Sequence, residues 1–288
     1  MSAPATARPH RTVLRLHRTA LIVWGAFVAG LIAWLVWLSE ITVDAVRAAE
    51  AACSRGPWGC VDVIEALDFS QPLDHVALLL HHSFLAVAAF AGGALIGREL
   101  ESGTARLAWT QGVTPARWLA AGLAVPALAL TAGGTVLVLA FRRVWEADRD
   151  LIPMADAWAF ADVFVARGPA TVAYALCALA VGTLTALLLR RALPALVVSV
   201  AAMWLLGVVL ERCRPHLWPA ERLLLRRESD PPHSAWLLEW SRTGTGRYAT
   251  YHPASHFWPL HLVETGVVLA VAVLATASAF AVLRRRTA

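Results

Sequence analysis

The chain has 288 residues, of which 58% are hydrophobic and only 16% charged, with a mean hydropathy of +0.60. A soluble domain carries about 25% charged residues, so this composition excludes an ordinary water-soluble domain and places the chain among membrane proteins. The formal net charge is +5 and every basic side chain is Arg, with no Lys. The arginines sit at the ends of apolar runs rather than in one patch, which argues against a nucleic-acid partner.

In chain order, Arg11, Arg15 and Arg18 come first, spaced so that they share one helix face, with Val13, Leu14 and Leu16 lying away from it. This pattern predicts an interfacial helix over 8–18, lying along the headgroups before the first span; a plain tail whose arginines set topology is the alternative. No A-x-A-like cleavage site follows the first apolar run, which is therefore read as a membrane helix rather than a signal peptide. Runs of about 20 apolar residues mark six spans. They are Ala20 to Ser39, Val76 to Ile96, Leu119 to Phe141, Ala170 to Leu189 (or from nearer Phe160), Ala192 to Leu210 and Leu260 to Leu283. The fold class expected is an all-α polytopic helix bundle, with 1–288 as a single transmembrane domain.

Arginine placement sets the expected orientation. With the N-terminus inside, the short cytoplasmic pieces hold Arg8, Arg11, Arg15, Arg18, Arg98, Arg106, Arg117, Arg190, Arg191, Arg284, Arg285 and Arg286, against only Glu99 and Glu101. Both termini and the 97–118 segment then lie in the cytoplasm, and 40–75 and 211–258 lie outside. Arg142 and Arg143, directly after the third span, run against the rule. The last outer loop contains Leu223-Leu224-Leu225 and Trp236-Leu237-Leu238 among prolines. It reads either as short segments dipping into the lipid boundary or as a plain folded loop.

Among chemistry-bearing residues, Cys53 and Cys60 flank Ser-Arg-Gly-Pro-Trp-Gly on the outer side. The turn residues and an oxidising compartment favour a disulfide there, with two free thiols as the alternative. Cys177 reads as packing, and Cys213 as outer and unpaired. His75, His81 and His82 cluster near the outer end of the second span, and His252, His256 and His261 near that of the sixth. Their spacings match no zinc pattern, so no metal site is expected. Glu264 is the notable ionisable residue in an apolar span: it either lines a substrate path or pairs with an arginine such as Arg212, or it is hydrated near the boundary. Small-xxx-small spacings at Gly93/Gly97 and Ala26/Gly30 permit close helix contact.

The stretch 97–118, GRELESGTARLAWTQGVTPARW, joins the second and third spans. Gly103 and Thr104 can end one helix and begin another, and Arg106 to Gln111 can form a short helix ended near Gly112 and Pro115. A charged helix-break-helix between spans looks like a docking surface for a soluble partner.

This loop resembles the intracellular loop of ABC-2-type permeases, the membrane subunits of ABC exporters. Its WTQ form, and the ending YHPASHFWPLHLVETG over 251–266, are similar to an actinobacterial set. The third span opens on Leu119-Ala120-Ala121-Gly122 where many members carry a basic residue. The resemblance implies that Glu99, Glu101, Gly103 and Thr104 form the acidic turn, and that Leu107, Trp109, Thr110 and Gln111 belong to a coupling helix inserting into an ATPase groove. Pro115 and Arg117 then lead into the third span. It also implies a second permease subunit, a cell-membrane location and export of a hydrophobic or amphipathic substrate. A phosphate-binding loop needs a Lys, and this chain has none, so no cofactor or enzymatic activity is expected here: ATP and Mg belong to a separate ATPase. An ion-driven transporter, a membrane enzyme built around Ser83 with His81 and His82, and a non-transporting sensor or immunity subunit on the same fold are the rival readings.

Overall fold

The computed structural model describes residues 18–53, 70–148, 158–225, 232, 234–243 and 246–287. Six helices are long and apolar enough to cross a membrane: α1 (Arg18–Ala48), α2 (Gln71–Glu101), α4 (Pro115–Ala147), α6 (Ala170–Leu189), α7 (Ala192–His216) and α8 (Ala254–Thr287). Two short helices, α3 (Thr104–Thr110) and α5 (Ala161–Ala166), sit in connections. Each expected span falls inside one of the six, and most run beyond the apolar core, as α2 and α8 do by several residues at each end. α6 does not start near Phe160, because Arg167-Gly168-Pro169 separates α5 from it. The 8–18 helix, apart from Arg18, and Cys60 lie outside the described residues, as does the Cys53 side chain, so the disulfide expected between Cys53 and Cys60 falls there too. Cys177 is a buried thiol and Cys213 an exposed one.

α6 is the most buried span. Its surface is made of Ala173, Ala178, Ala180, Gly182, Thr183 and Ala186, all buried, and small residues let neighbouring backbones approach closely. α2, α4, α7 and α8 pack on it. At Gly182, an added Cβ would stand 2.7 Å from the Ala91 Cβ, 2.8 Å from the Gly92 nitrogen and 2.9 Å from the Ala88 oxygen. The facing part of α2, Phe90–Gly97, is wound as a π-helix, the wider turn found where a helix must adapt to its neighbour. Gly93 and Gly97 pack there against Leu196 and Ala192 of α7, and the Ser199 hydroxyl lies 2.9 Å from the Ala88 carbonyl. Of the two small-residue spacings in the sequence, this one is a contact; Gly30 has nothing within 4 Å of its would-be Cβ. α1 is peripheral. It leans on α4, where the Trp24 indole donates to the Ala129 carbonyl at 2.9 Å.

The helices alternate in direction, so the chain enters α1 and leaves α8 at one end of the bundle, the end that also carries the 97–118 segment. Three contacts show this: the Arg286 guanidinium donates to the Leu187 carbonyl at the end of α6, the Ala192 amide opening α7 donates to the Glu101 carboxylate at the end of α2 at 2.9 Å, and at the opposite end Arg47 near the end of α1 pairs with Asp148 just after α4 at 3.3 Å. At the other end, the described residues between α7 and α8 form no short helices dipping toward lipid. They fold as a three-stranded antiparallel sheet of β1 (Glu221–Leu225), β2 (Trp236–Thr243) and β3 (Gly246–His252), in the order β1-β3-β2, with a bulge between Leu237 and Glu239. The all-α reading holds for the bundle, and this sheet is an addition to it: the apolar triplets Leu223 to Leu225 and Trp236 to Leu238 are strand segments. Prolines close to both triplets deny a helix its backbone donors. Trp158 pins the sheet down by donating to the Ser234 carbonyl at 2.8 Å and packing edge-on against Trp236 and Phe257. The His252 Nε2–H donates to the Pro215 carbonyl at 3.0 Å, and its Nδ1 lies 3.1 Å from Nδ1 of His256.

Two outcomes are expected. Gly182→Ala should lower the unfolding temperature in detergent by several degrees, because overpacking costs about 1–3 kcal/mol. Gly25→Ala, where nothing lies within 4 Å, should leave it unchanged. Burial pushes the His252 pKa below the ordinary 6.5. As pH falls below that value the unfolded sheet takes up a proton that the folded one resists, so the sheet is stable at neutral pH and loosens on acidification. Amide exchange in β2 and β3 at pH 5.5 and 7.5, corrected for intrinsic rates, checks this; greater protection at the lower pH would contradict it.

Candidate functional site: the 97–118 loop and the buried acid

The loop is built as a braced bracket. α2 ends at Glu101, and Gly103 turns the chain with φ 77°, a left-handed conformation that glycine adopts without a Cβ penalty. The Thr104 hydroxyl donates back to the Glu99 carbonyl at 3.2 Å, holding the junction. α3 then runs for two turns and stops at Gln111-Gly112, Gly112 having φ 90°. Thr114 caps α4, its hydroxyl accepting from the Arg117 amide at 3.4 Å, and Pro115 takes the first helical position, where its missing N–H costs nothing. The short helix expected over 106–111 is thus present, starting two residues earlier.

The two acids are bracing groups. Glu99 accepts from the Trp118 indole at 2.9 Å, tying the end of α2 to the start of α4. Glu101 accepts from the Ala192 amide, placing negative charge at the N-terminus of α7, where the helix dipole favours it. Trp109 packs edge-on against Trp118 with ring centroids 5.7 Å apart, so α3 is held against α4 by an aromatic pair. The loop therefore has a fixed inner side of Glu99, Ala105, Trp109 and Trp118, and an outer side where Thr104, Arg106, Leu107, Thr110, Gln111 and Arg117 are exposed. Leu107 stands out, an apolar side chain 59% exposed at the end of the bundle. The sequence assigns Trp118 and Ala192 no role in the bracket: Trp118 closes the 97–118 stretch as an aromatic near Trp109, and Ala192, which opens the fifth span, contributes only a backbone amide.

At the other end, Glu264 on α8 is fully buried, not hydrated. Its partner is Arg214, not Arg212: Nε donates to one carboxylate oxygen at 2.7 Å and Nη2 to the other at 2.9 Å. Arg212 and Arg214 are about 200° apart around a helix, so one points outward while the other, in the last turn of α7, points in. The Tyr174 hydroxyl of α6 also donates to Glu264 at 2.9 Å, and Phe164 of α5 faces the guanidinium at 4.2 Å. One carboxylate thereby joins α6, α7 and α8. His261, one turn earlier on α8, accepts the Ala170 amide at 3.1 Å and so closes the start of α6. Gly168 is required there, since a Cβ would stand 2.4 Å from the His261 ring. Between α4, α6 and α8 lie two grooves. One of about 560 Å³ is largely apolar, with Leu123, Leu176 and Phe280 among its lining and Thr276 its one polar side chain; one of about 340 Å³ carries Arg142, Arg167 and Trp258.

Removing Glu264 leaves a buried guanidinium uncompensated, which typically costs about 3–5 kcal/mol. Glu264→Ala should therefore unfold at a markedly lower temperature in detergent. Glu264→Leu combined with Arg214→Met should recover most of the loss; a double variant as unstable as the single one would show that the pair is not the source.

The curated proteins and the solved structures contain no match to this chain. A protein family described as ABC-2 membrane transporter related matches residues 25–214, about two thirds of the sequence. That match covers α2, the whole 97–118 bracket, and α4 through the start of the last turn of α7. With six apolar helices arranged as a bundle, the chain is a multi-pass membrane protein and belongs to the ABC-2 membrane transporter related family.

Proposed function

We propose that this chain is the permease subunit of an ATP-driven ABC-2-type exporter in the cell membrane. In this reading both termini and the 97–118 bracket face the cytoplasm, α3 docks in a groove on a separate ATPase, and a second permease subunit completes the path. An ABC ATPase partner is what the family implies in general; the docking element and the direction of transport are our own reading. The observation that carries it is the construction of the bracket. Glu99 and Glu101 tie the end of α2, which leads into α3, to α4 and α7, and the Trp109–Trp118 pair holds α3 to α4, yet α3 presents Leu107 outward with Arg106, Thr110 and Gln111 around it. A helix held this firmly can pass a push from a partner into α2, α4 and α7, whereas a loose linker would absorb it. Arginines at this end, Arg98, Arg190, Arg191, Arg284, Arg285 and Arg286, agree with a cytoplasmic face.

The chain performs no catalysis in this scheme. ATP and Mg²⁺ belong to the partner, whose closure would move α3 and alternate the cavity between inward and outward openings. Hydrophobic or amphipathic cargo is supported by the grooves between α4, α6 and α8, one largely apolar and one mostly apolar with two arginines among its lining. Ion-driven transport is disfavoured, because Glu264, the acid it would use, is engaged by a bidentate arginine and a tyrosine.

The test is co-purification of untreated membranes in mild detergent, wild type against Leu107→Asp, with mass spectrometry of the bound proteins and ATP hydrolysis as readouts. Leu107 is exposed, so the variant should unfold at the wild-type temperature while the recovered P-loop ATPase falls at least tenfold. A folded wild type that brings down no ATPase, or a variant that retains it fully, would overturn the proposal.

A further inference from the structure

At the end of the bundle that carries the sheet, α2 and α5 bring together three metal-ligand side chains that no sequence spacing connects. His81 Nδ1 lies 2.6 Å from the Asp162 Oδ1, and His82 Nδ1 lies 3.6 Å from the same oxygen. The three ligand atoms fall within 4.8 Å of one another. We propose that His81, His82 and Asp162 form a binding site for a divalent transition-metal ion, with zinc(II) the best fit.

Zinc bonds of about 2.0–2.2 Å to nitrogen and oxygen set tetrahedral ligand atoms about 3.4 Å apart, and the two observed separations bracket that value. Imidazole nitrogens with one carboxylate suit zinc and its first-row neighbours rather than calcium or magnesium, which take oxygen cages. Adjacent residues on a helix normally diverge by about 100°, yet these two histidine rings converge, with centroids 4.6 Å apart; both nitrogens face Asp162. His81 is buried, and is fixed from behind by Phe84 and Tyr174, whose ring centroids lie 6.0 and 6.2 Å away. His82 is 46% and Asp162 36% exposed, so the site has one firm ligand, two accessible ones and an open side for the ion to enter with a water as fourth ligand.

The charge balance also fits. Burial works against the Asp162 carboxylate, but the His81 hydrogen bond, the charges of His81 and His82, and Arg214 together hold its pKa below the ordinary value, so it is ionised at neutral pH. Arg214, a nearby cation, is paired with Glu264 through a bidentate contact, which weakens its repulsion of an ion at this site. Without metal, His82 Nδ1–H donates to the Leu78 carbonyl at 3.1 Å. Coordination requires that lone pair, so the His82 proton shifts to the exposed Nε2, and any proton on His81 Nδ1 is released to solvent. An ion held here ties α2 to the segment that leads into α6.

Zinc(II) binding to purified, EDTA-stripped protein without a polyhistidine tag tests the site, by competition with a chromophoric chelator and by metal analysis after gel filtration. One ion per chain is expected, with a rise in unfolding temperature. His82 is nearly half exposed and its hydrogen bond to the Leu78 carbonyl lies at the surface, so the metal-free unfolding temperature of His82→Ala should stay close to the wild type while its affinity drops at least tenfold; Asp162→Asn should weaken binding similarly. Cobalt(II) in place of zinc should give visible bands of a four-coordinate site that His82→Ala abolishes. Wild type that binds no zinc, His82→Ala that binds as tightly as wild type, or zinc lost on His256→Ala instead would each overturn the proposal.

Discussion

In lipid, an apolar side chain gains nothing by leaving its surroundings, so helices associate only where backbones come close enough for dispersion and polar contacts to accumulate. In this bundle that place is α6. Its alanines, threonines and one glycine let neighbouring backbones come close between larger side chains such as Tyr174 and Leu179, and four other spans settle against it. The π-wound Phe90–Gly97 segment of α2 is the complementary surface, with Gly92 closing on Ala195 and Ser199 of α7 and Gly97 on Ala192. In the proposed function this has a mechanical consequence: the helix that ends in the 97–118 bracket is packed closely against the centre of the bundle, so displacement of its end would be carried inward.

Polar contacts do the rest, and they sit at the two ends. At the sheet end, Glu264 takes two bonds from Arg214 and one from Tyr174, so three spans share one desolvated carboxylate. Such a pair adds little net stability over well-packed apolar residues. Its effect is on specificity, since a guanidinium fork fits a carboxylate in few arrangements, and this one sets the relative rotation of α6, α7 and α8. The sheet lies over this end, attached through Trp158, Trp236 and His252. At the other end, Glu101 and Arg286 use helix-terminal backbone groups as partners, satisfying donors and acceptors that the helix itself leaves open.

The bracket's acids, which look in sequence like a charged surface, make internal contacts: Glu99 is half-buried and takes the Trp118 indole, while Glu101, itself exposed, takes the Ala192 amide. Leu107 and its polar neighbours make up the exposed outer face. In the proposed function that outer face meets the ATPase, and contact residues transmit force only if the element behind them is rigid.

Composition and periodicity alone determined the membrane class, the six spans and the position of the bracket, because each depends on local hydrophobicity or on glycine and proline, whose backbone limits act within a few residues. The glycines at 103 and 112 bound a short helix in the structure as they do in the sequence. Tertiary structure decided the rest. Arg214 instead of Arg212 as the partner of Glu264 depends on the rotation of α7. The strands within 211–258 depend on pairing partners up to 30 residues apart. The meeting of His81 and His82 with Asp162, 81 residues away from His81, depends on α5 folding back onto α2. A contact between two elements is a property of their packing, and a sequence without those distances carries no local trace of it.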